Sequence, residues 1–371
     1  MHTYSALKKF PTHTNMDIIK TIEANYATLA GGVPTLIPFP WDDLNAIVPG
    51  LIRADRVIIT ANSGVGKSKF TRFLGMKYIK RFCNKHSIAC NIYINSLEED
   101  PAKVYSSIYI SAMNKTFGIS IDYYDFMGYK VKAGSDDLRS KIDKIISGVD
   151  LSDIKIVQMY DPIAFYRYVI HDLAAHGTFY DRKGASVDPD RVASDDNSWV
   201  RYVPDTPRIN VIITDTIDAM LDREGKSYDT IITYTAHYCR ALLSLRAGCI
   251  HFWVQQQSAE NETRKFTNSG QLIVSGMKPD LGKLLSAKAT QQYANLVLGL
   301  FSPHDAGLKT YQGHQIHRFS PRYRLYEVIV LKANEGRKPK GSSLLLVGDL
   351  LEEEYYPCPD PNDEQIIKYY D

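Results

Sequence analysis

The stretch 56-RVIITANSGVGKSKFTRFLG-75 limits what this chain can fold into more than any other: an apolar run of strand character, a turn of small residues ending in Gly-Lys-Ser, then a helix-forming stretch. Such a turn lets successive backbone N–H groups curl around a phosphate, and the start of the helix adds the positive end of its dipole. Residues Ala61, Asn62, Ser63, Gly64, Val65, Gly66, Lys67, Ser68 and Lys69 form the candidate nucleotide loop. Lys67 would reach the β- and γ-phosphates and the Ser68 hydroxyl would ligate Mg2+. Ala61 stands where the general pattern G-x-x-x-x-G-K-[ST] has its first glycine.

A loop of this kind needs a sheet to hold it, and the sequence supplies one. Apolar strand candidates lie at 56–61, 91–97, 154–160, 210–215, 250–255, 295–301 and 325–332, with helical stretches at 67–84, 101–117, 162–176 and 226–247 between them. That alternation predicts an α/β fold, a mostly parallel twisted sheet flanked by helices. Residues 177–206, rich in Gly, Asp, Ser and Pro, read as a surface insertion, and 258–286 as a mobile basic loop. Residues 1–35 hold one expected helix, Met16 to Leu29, and form a helical or linker segment, leaving 36–348 as the main domain.

Residues 349–371 carry eight acids against one lysine, a net −7 in a chain of net +2, so the first 348 residues carry +9. The reading is a basic body with an acidic C-terminal tail, whose tyrosines among acids resemble a docking peptide. A hydrophobic content of 44% with 23% charged residues is that of a folded globular protein. The apolar runs, such as 344-LLLV-347, fall far short of the ~20 residues that span a bilayer, and no signal-peptide core is present, so the expectation is a cytoplasmic protein without a membrane partner. Five cysteines without a C-x-x-C pair favour buried or idle thiols, and the histidines at 171, 176, 304, 314 and 317 have no defensible metal spacing.

A nucleotide loop needs a carboxylate at the end of a neighbouring strand to hold the metal through water. Asp215, closing 210-NVIITD-215, fits, with Asp218 the competitor. It also needs a group to orient the attacking water. Glu98, just past the strand in 91-NIYINSLEED-100, is the candidate. Glu99 reads as solvated and Asp100 as the cap of a helix starting at Pro101.

These motifs together resemble the ATPase domain of DnaB-type hexameric replicative helicases, a RecA-fold family with bacteriophage and mitochondrial members. The lead-in 41-WDDLNAIVPGLIRADRVIIT-60 is similar to that family's, and its phosphate loop often reads A-R-P-S-x-G-K-T, so Ala61 matches. Its S-L-E is matched by Ser96-Leu97-Glu98, which implies Glu98 as catalytic base. Its strand ending in aspartate resembles 210–220, and its polar γ-phosphate sensor is matched by Gln255, with Gln256 the alternative. Its S-G-x-I-E-Q-x-A-D-V-V-L is echoed by 286–300 with Gln291 and Asn295 in place of acids. Its K-x-R-x-G, which serves the neighbouring subunit's nucleotide, is partly present in 332-KANEGRKPKG-341. Asn334 replaces the usual arginine there, which passes the trans-acting role to Arg337 or Lys332.

The resemblance implies a RecA-like core, ATP and Mg2+ as cofactors, a homo-oligomeric, hexameric ring, and an ATP-driven motor on single-stranded DNA that unwinds duplex during replication. Arg264, Lys265, Lys278 and Lys283 lie where the family has its DNA-binding loops. Two other readings keep the fold: a RecA-like recombinase or recombination mediator forming filaments, and a degenerate nucleotide-binding scaffold.

Overall fold

A strand covered by helices on both faces has no side that can be polar, so it reads as an unbroken aliphatic run. That is how the central strands of this chain read and how they fold. The computed structural model describes residues 34–371 apart from 131–135, 196–197, 221–229, 232–233, 236–237, 259–272, 285–287 and 335–340. The expected N-terminal helix at 16–29 lies outside the described residues, as do 226–229, 232–233 and 236–237 of the one at 226–247, of which Tyr238–Ser244 is helical.

A nine-stranded sheet runs through the molecule: β1 (Arg56–Ala61), β2 (Ala89–Ser96), β3 (Ile154–Val157), β4 (Arg208–Asp215), β5 (Ile250–Gln256), β6 (Leu296–Phe301), β7 (Tyr323–Ala333), β8 (Ser343–Asp349) and β9 (Glu354–Pro357). Its spatial order is β9-β8-β7-β6-β1-β5-β4-β2-β3. The six strands from β6 to β3 are mutually parallel, and β7, β8 and β9 extend one edge in antiparallel fashion. All seven strand candidates are present. β8 and β9 were not anticipated.

From the loop after β1 a continuous helical run follows, Lys67–Arg72, a π-helical stretch Phe73–Tyr78 and Ile79–Lys85, packed on one sheet face. Gly75 permits this close approach, since a Cβ there would lie 3.0 Å from Phe252 and 3.1 Å from Ile213. The same face buries Trp41, which stacks on Phe70 with ring centroids 5.8 Å apart and donates Nε1–H to the Tyr355 carbonyl. The lead-in tryptophan thus joins the loop helix to β9. The opposite face is covered by helix Pro162–Ala174 and by residues 177–206.

That last segment is more than a surface loop. Gly177–Tyr180, Ser186–Val187 and Arg201–Pro204 form a three-stranded antiparallel sheet, and Trp199, fully buried, packs edge-on against Phe179 and donates to the Tyr166 hydroxyl at 3.2 Å. Four of the cysteines, at 83, 90, 239 and 249, are buried.

The acidic tail is the clearest correction. Residues 349–357 enter the sheet edge, and their acids face the interior. Glu353, 3% exposed, lies 3.2 Å from Arg72 and 3.5 Å from Lys77; Glu354 pairs with Arg81 and Lys115, and Asp349 with Arg322. Burial pushes the Glu353 carboxyl up, and the Arg72 and Lys77 charges more than reverse this, holding it below its ordinary range. Much of the excess basic charge of the body is therefore cancelled within the fold.

Removing one partner of a buried pair strands the others. Glu353→Ala, which leaves Arg72 and Lys77 facing each other, is expected to cost about 3–5 kcal/mol in denaturant unfolding. An unchanged midpoint would mean that this acid is solvated after all.

Candidate nucleotide-binding site

The loop between β1 and its helix is held open by two left-handed glycines, Gly64 at φ 73° and Gly66 at φ 102°. No side chain caps the helix that starts after Gly66, so its first N–H groups face the loop. Lys67 is 6% exposed, and its ammonium donates to the carbonyls of Ala61 (3.2 Å) and Asn62 (3.1 Å), drawn over the loop it belongs to.

Strand register decides what faces this loop. Side chains alternate between the two faces. On β4 the residues Ile209, Val211 and Ile213 join the core beneath the loop helix, so Asp215 points to the same side. The Ser68 hydroxyl hydrogen-bonds its carboxylate, while Oδ1 is buried with no hydrogen-bond partner among the described residues. Burial pushes the Asp215 carboxyl up to about 6, against the Ser68 bond and the Arg72 charge. Asp218, the competitor, is committed elsewhere: its carboxylate accepts from the Thr216 hydroxyl (3.2 Å) and the Gln256 N–H (2.9 Å), stapling the ends of β4 and β5.

Ser96 pairs with Asp215 across β2 and β4, and the next two N–H groups, of Leu97 and Glu98, both donate to the Asp215 carbonyl at 2.6 and 3.2 Å. Glu98 is exposed beside the buried aspartate. Glu99 is half-buried and accepts from Arg72 at 3.2 Å, so it braces the turn to the loop helix rather than being merely solvated. Asp100 caps helix Pro101–Phe117 by accepting from the Ala102 N–H, as expected.

Gln255 requires a correction. It is fully buried and turned to the opposite face, where Oε1 accepts from Thr290 at 3.0 Å. Gln256, paired with Ala61, is the residue of β5 on the loop's side, which favours the alternative. Two further assignments shift. Lys332 donates to the Gln291 carbonyl at 2.8 Å at the end of helix Lys288–Tyr293, and burial with the nearby Arg56 charge lowers its pKa, so it is engaged as a helix cap. Lys278 pairs with the buried Glu327 at 2.7 Å and lies over the Phe301 and Tyr311 rings, and so is committed to the interior rather than presented as a phosphate contact. Lys283 donates to the Gly276 carbonyl. Arg264, Lys265 and Arg337 lie outside the described residues.

Sequence reading missed Arg72. It is 4% exposed, one helical turn beyond Ser68, and joins Glu99 and Glu353. Its i+4 spacing from Ser68 was the available signal.

β5 lies between β1, which carries the loop, and β4, which ends in the acid, and loop, acid and Glu98 converge at the carboxyl ends of the strands. This is a RecA-like fold. Among solved structures the chain is similar to the ATPase domain of a protein named G40-P, with TM-score 0.61 and 15% identity over 92% of this chain and 99% of that one. It is also similar to a DnaB-like replicative helicase solved for its interactions with primase, with TM-score 0.59 and 15% identity over 92% of this chain and 69% of that one. The likeness is one of fold. No family model and no curated protein matches the sequence. Among the described residues no helix is long and apolar enough to cross a membrane.

An oxygen buried without a donor, next to a serine hydroxyl, fits a hydrated divalent cation. The raised pKa has a measurable sign in the chain free of metal and nucleotide: stability contributed by protonated Asp215 is complete below about 3.8 and lost as pH rises through about 6. Urea unfolding at pH 4 and 7.5 should show Asp215→Asn gaining on the unaltered chain at the higher pH, by on the order of 3 kcal/mol at most. Equal pH profiles would contradict the burial argument.

Proposed function

We propose that this chain is an ATP-hydrolysing motor of a replicative DNA helicase, assembled as a hexameric ring on single-stranded DNA. The observation that carries the reading is the convergence of Lys67, Ser68, Asp215 and Glu98 at the carboxyl ends of the parallel strands β1, β4 and β2, with Gln256 of the intervening β5 on the same face. In this reading the N–H groups of Ala61 through Lys69 cradle the phosphates of ATP, and Lys67 leaves the loop carbonyls for the phosphate oxygens. Ser68 and Asp215 hold Mg2+, which when bound neutralises charge on the phosphates. Glu98 polarises and orients the water. Gln256 senses the γ-phosphate.

The neighbour's contribution would come from the far end of the sheet. Asn334 hydrogen-bonds the backbone of Asn295, which in turn bonds Arg56 at the start of β1. The six residues of β1 put roughly 20 Å between that point and the chain's own loop. A basic residue at 335–340 would therefore serve an adjacent subunit, and we assign Arg337. Phosphate contacts to DNA fall to Arg264, Lys265 and Lys283. A primase or polymerase would meet the exposed Asp360, Asp363, Glu364 and Asp371. The setting would be the cytoplasm of a bacterium or of a phage-infected cell.

Lys67→Ala is expected to abolish turnover. Glu98→Gln should bind ATP with near-normal affinity while hydrolysis falls by roughly 10²- to 10⁴-fold; normal turnover there would sink the base assignment. Electron microscopy with an ATP analogue and single-stranded DNA separates closed rings, expected here, from the open filaments of a recombinase.

Mixing tests the subunit boundary. Lys67→Ala and Arg337→Ala chains, each inactive alone, should recover part of the ATPase activity together, because some interfaces then carry neither defect. Full activity of assembled Arg337→Ala alone would remove it from the site.

A further inference from the structure

The return limb of the basic segment, residues 274–284, is bonded directly to the nucleotide loop and to the strand that carries it. Two short 3-10 turns, Val274–Met277 and Leu281–Lys283, make up most of this limb. Ser258 donates its N–H to the Lys283 carbonyl at 2.7 Å, and Gln257 faces Leu284 in an antiparallel bridge, so the departing and returning chains are joined at their root.

Three bonds then reach the nucleotide loop. The Gln257 side chain, 4% exposed, donates Nε2–H to the Thr60 hydroxyl at 2.9 Å, and its Oε1 accepts the Asp280 N–H at 3.1 Å. The Asn62 amide donates to the Met277 carbonyl at 3.3 Å. Thr60 is the last residue but one of β1, and Asn62 lies in the loop itself. A displacement of residues 60–62 as the loop takes up phosphates therefore cannot leave residues 277–280 where they are without breaking these hydrogen bonds, of which the Gln257–Thr60 bond is buried. The Gln257 backbone N–H also donates to the Ala61 carbonyl at 3.3 Å, and its side chain acts through the groups at its two ends, Thr60 and Asp280.

We propose that Gln257 is a positioning residue that couples the nucleotide loop to the return limb, so that nucleotide in the loop and single-stranded DNA on the protein change each other's affinity through it. The inference rests on the motor reading above. Linkage requires the effect to be reciprocal. Removing the staple lowers both effects together and leaves each ligand's separate affinity in place.

The test uses the full chain with an oligo-dT strand and a non-hydrolysable ATP analogue. Gln257→Leu keeps the volume and removes both side-chain bonds; Thr60→Val removes one by a shape-matched change and carries the test alone if the first variant does not fold. In the unaltered chain the analogue should tighten dT binding by about 5- to 150-fold. That ratio is expected to fall toward one in Gln257→Leu and part of the way in Thr60→Val, while analogue affinity without DNA and the basal ATPase rate stay within about twofold. A ratio that survives in the variants overturns the inference alone. So does a uniform fall in basal rate and both affinities with the ratio preserved, which is the mark of a purely structural role. Absence of dT binding by the unaltered chain overturns the motor reading and this inference with it.

Discussion

A guanidinium with almost no access to water must be surrounded by carboxylates, and around Arg72 that requirement draws together the stretches of chain that make the site. Its two partners come from different places: Glu99 from the turn after β2, and Glu353 from the segment between β8 and β9. Glu353 also takes Lys77, and the Glu352 carbonyl accepts from Lys77 and Ser111. The loop helix is thereby fixed to the turn that carries Glu98 on one side and to the sheet edge on the other. A pair this deep contributes little net stability over an apolar substitute, but an unpaired member is costly. Its consequence is one arrangement of loop, helix and acid turn.

Within that frame, function follows from strand alternation. Three consecutive glutamines have three different fates. Gln255 is spent on Thr290, Gln257 on Thr60 and Asp280, and Gln256 remains on the loop's side. A slip of one residue in the register of β5 would exchange these environments. Asp215, the last residue of β4, faces Ser68, whereas Asp218, in the 3-10 turn beyond it, ties two strand ends.

Much of this was legible in the sequence because it is local. The loop, its strand and its helix are contiguous, and aliphatic runs such as 210-NVIITD-215 announce a strand covered on both faces. What was hidden depends on partners distant in sequence. The run Glu352–Glu353–Glu354 looks like a solvated acidic patch until Arg72, Lys77 and Arg81 are brought against it. Lys278 looks like a DNA contact until Glu327 is found beneath it. The strand at 354–357 is short and flanked by prolines and acids, and nothing in its own composition reveals that β8 pairs with it. Residues 177–206 have loop composition, yet Phe179, Trp199 and Tyr202 give them a core, a signal visible only as three aromatics among polar residues.

The Arg72–Glu353 pair spans 281 positions of sequence. During synthesis the loop and its helix leave the ribosome well before the carboxylate that balances the helix's buried charge, which follows 281 residues later. Until it arrives, Arg72 and Lys77 have no reason to leave water, and the face they share with Trp41 and Phe70 cannot close. At typical elongation rates of ~5–20 residues per second, that interval lasts on the order of 15 to 55 s. The nascent chain would thus carry the complete loop sequence long before it has the closed site around it, and a chain released at the end of β8 would hold Arg72 without its Glu353 partner.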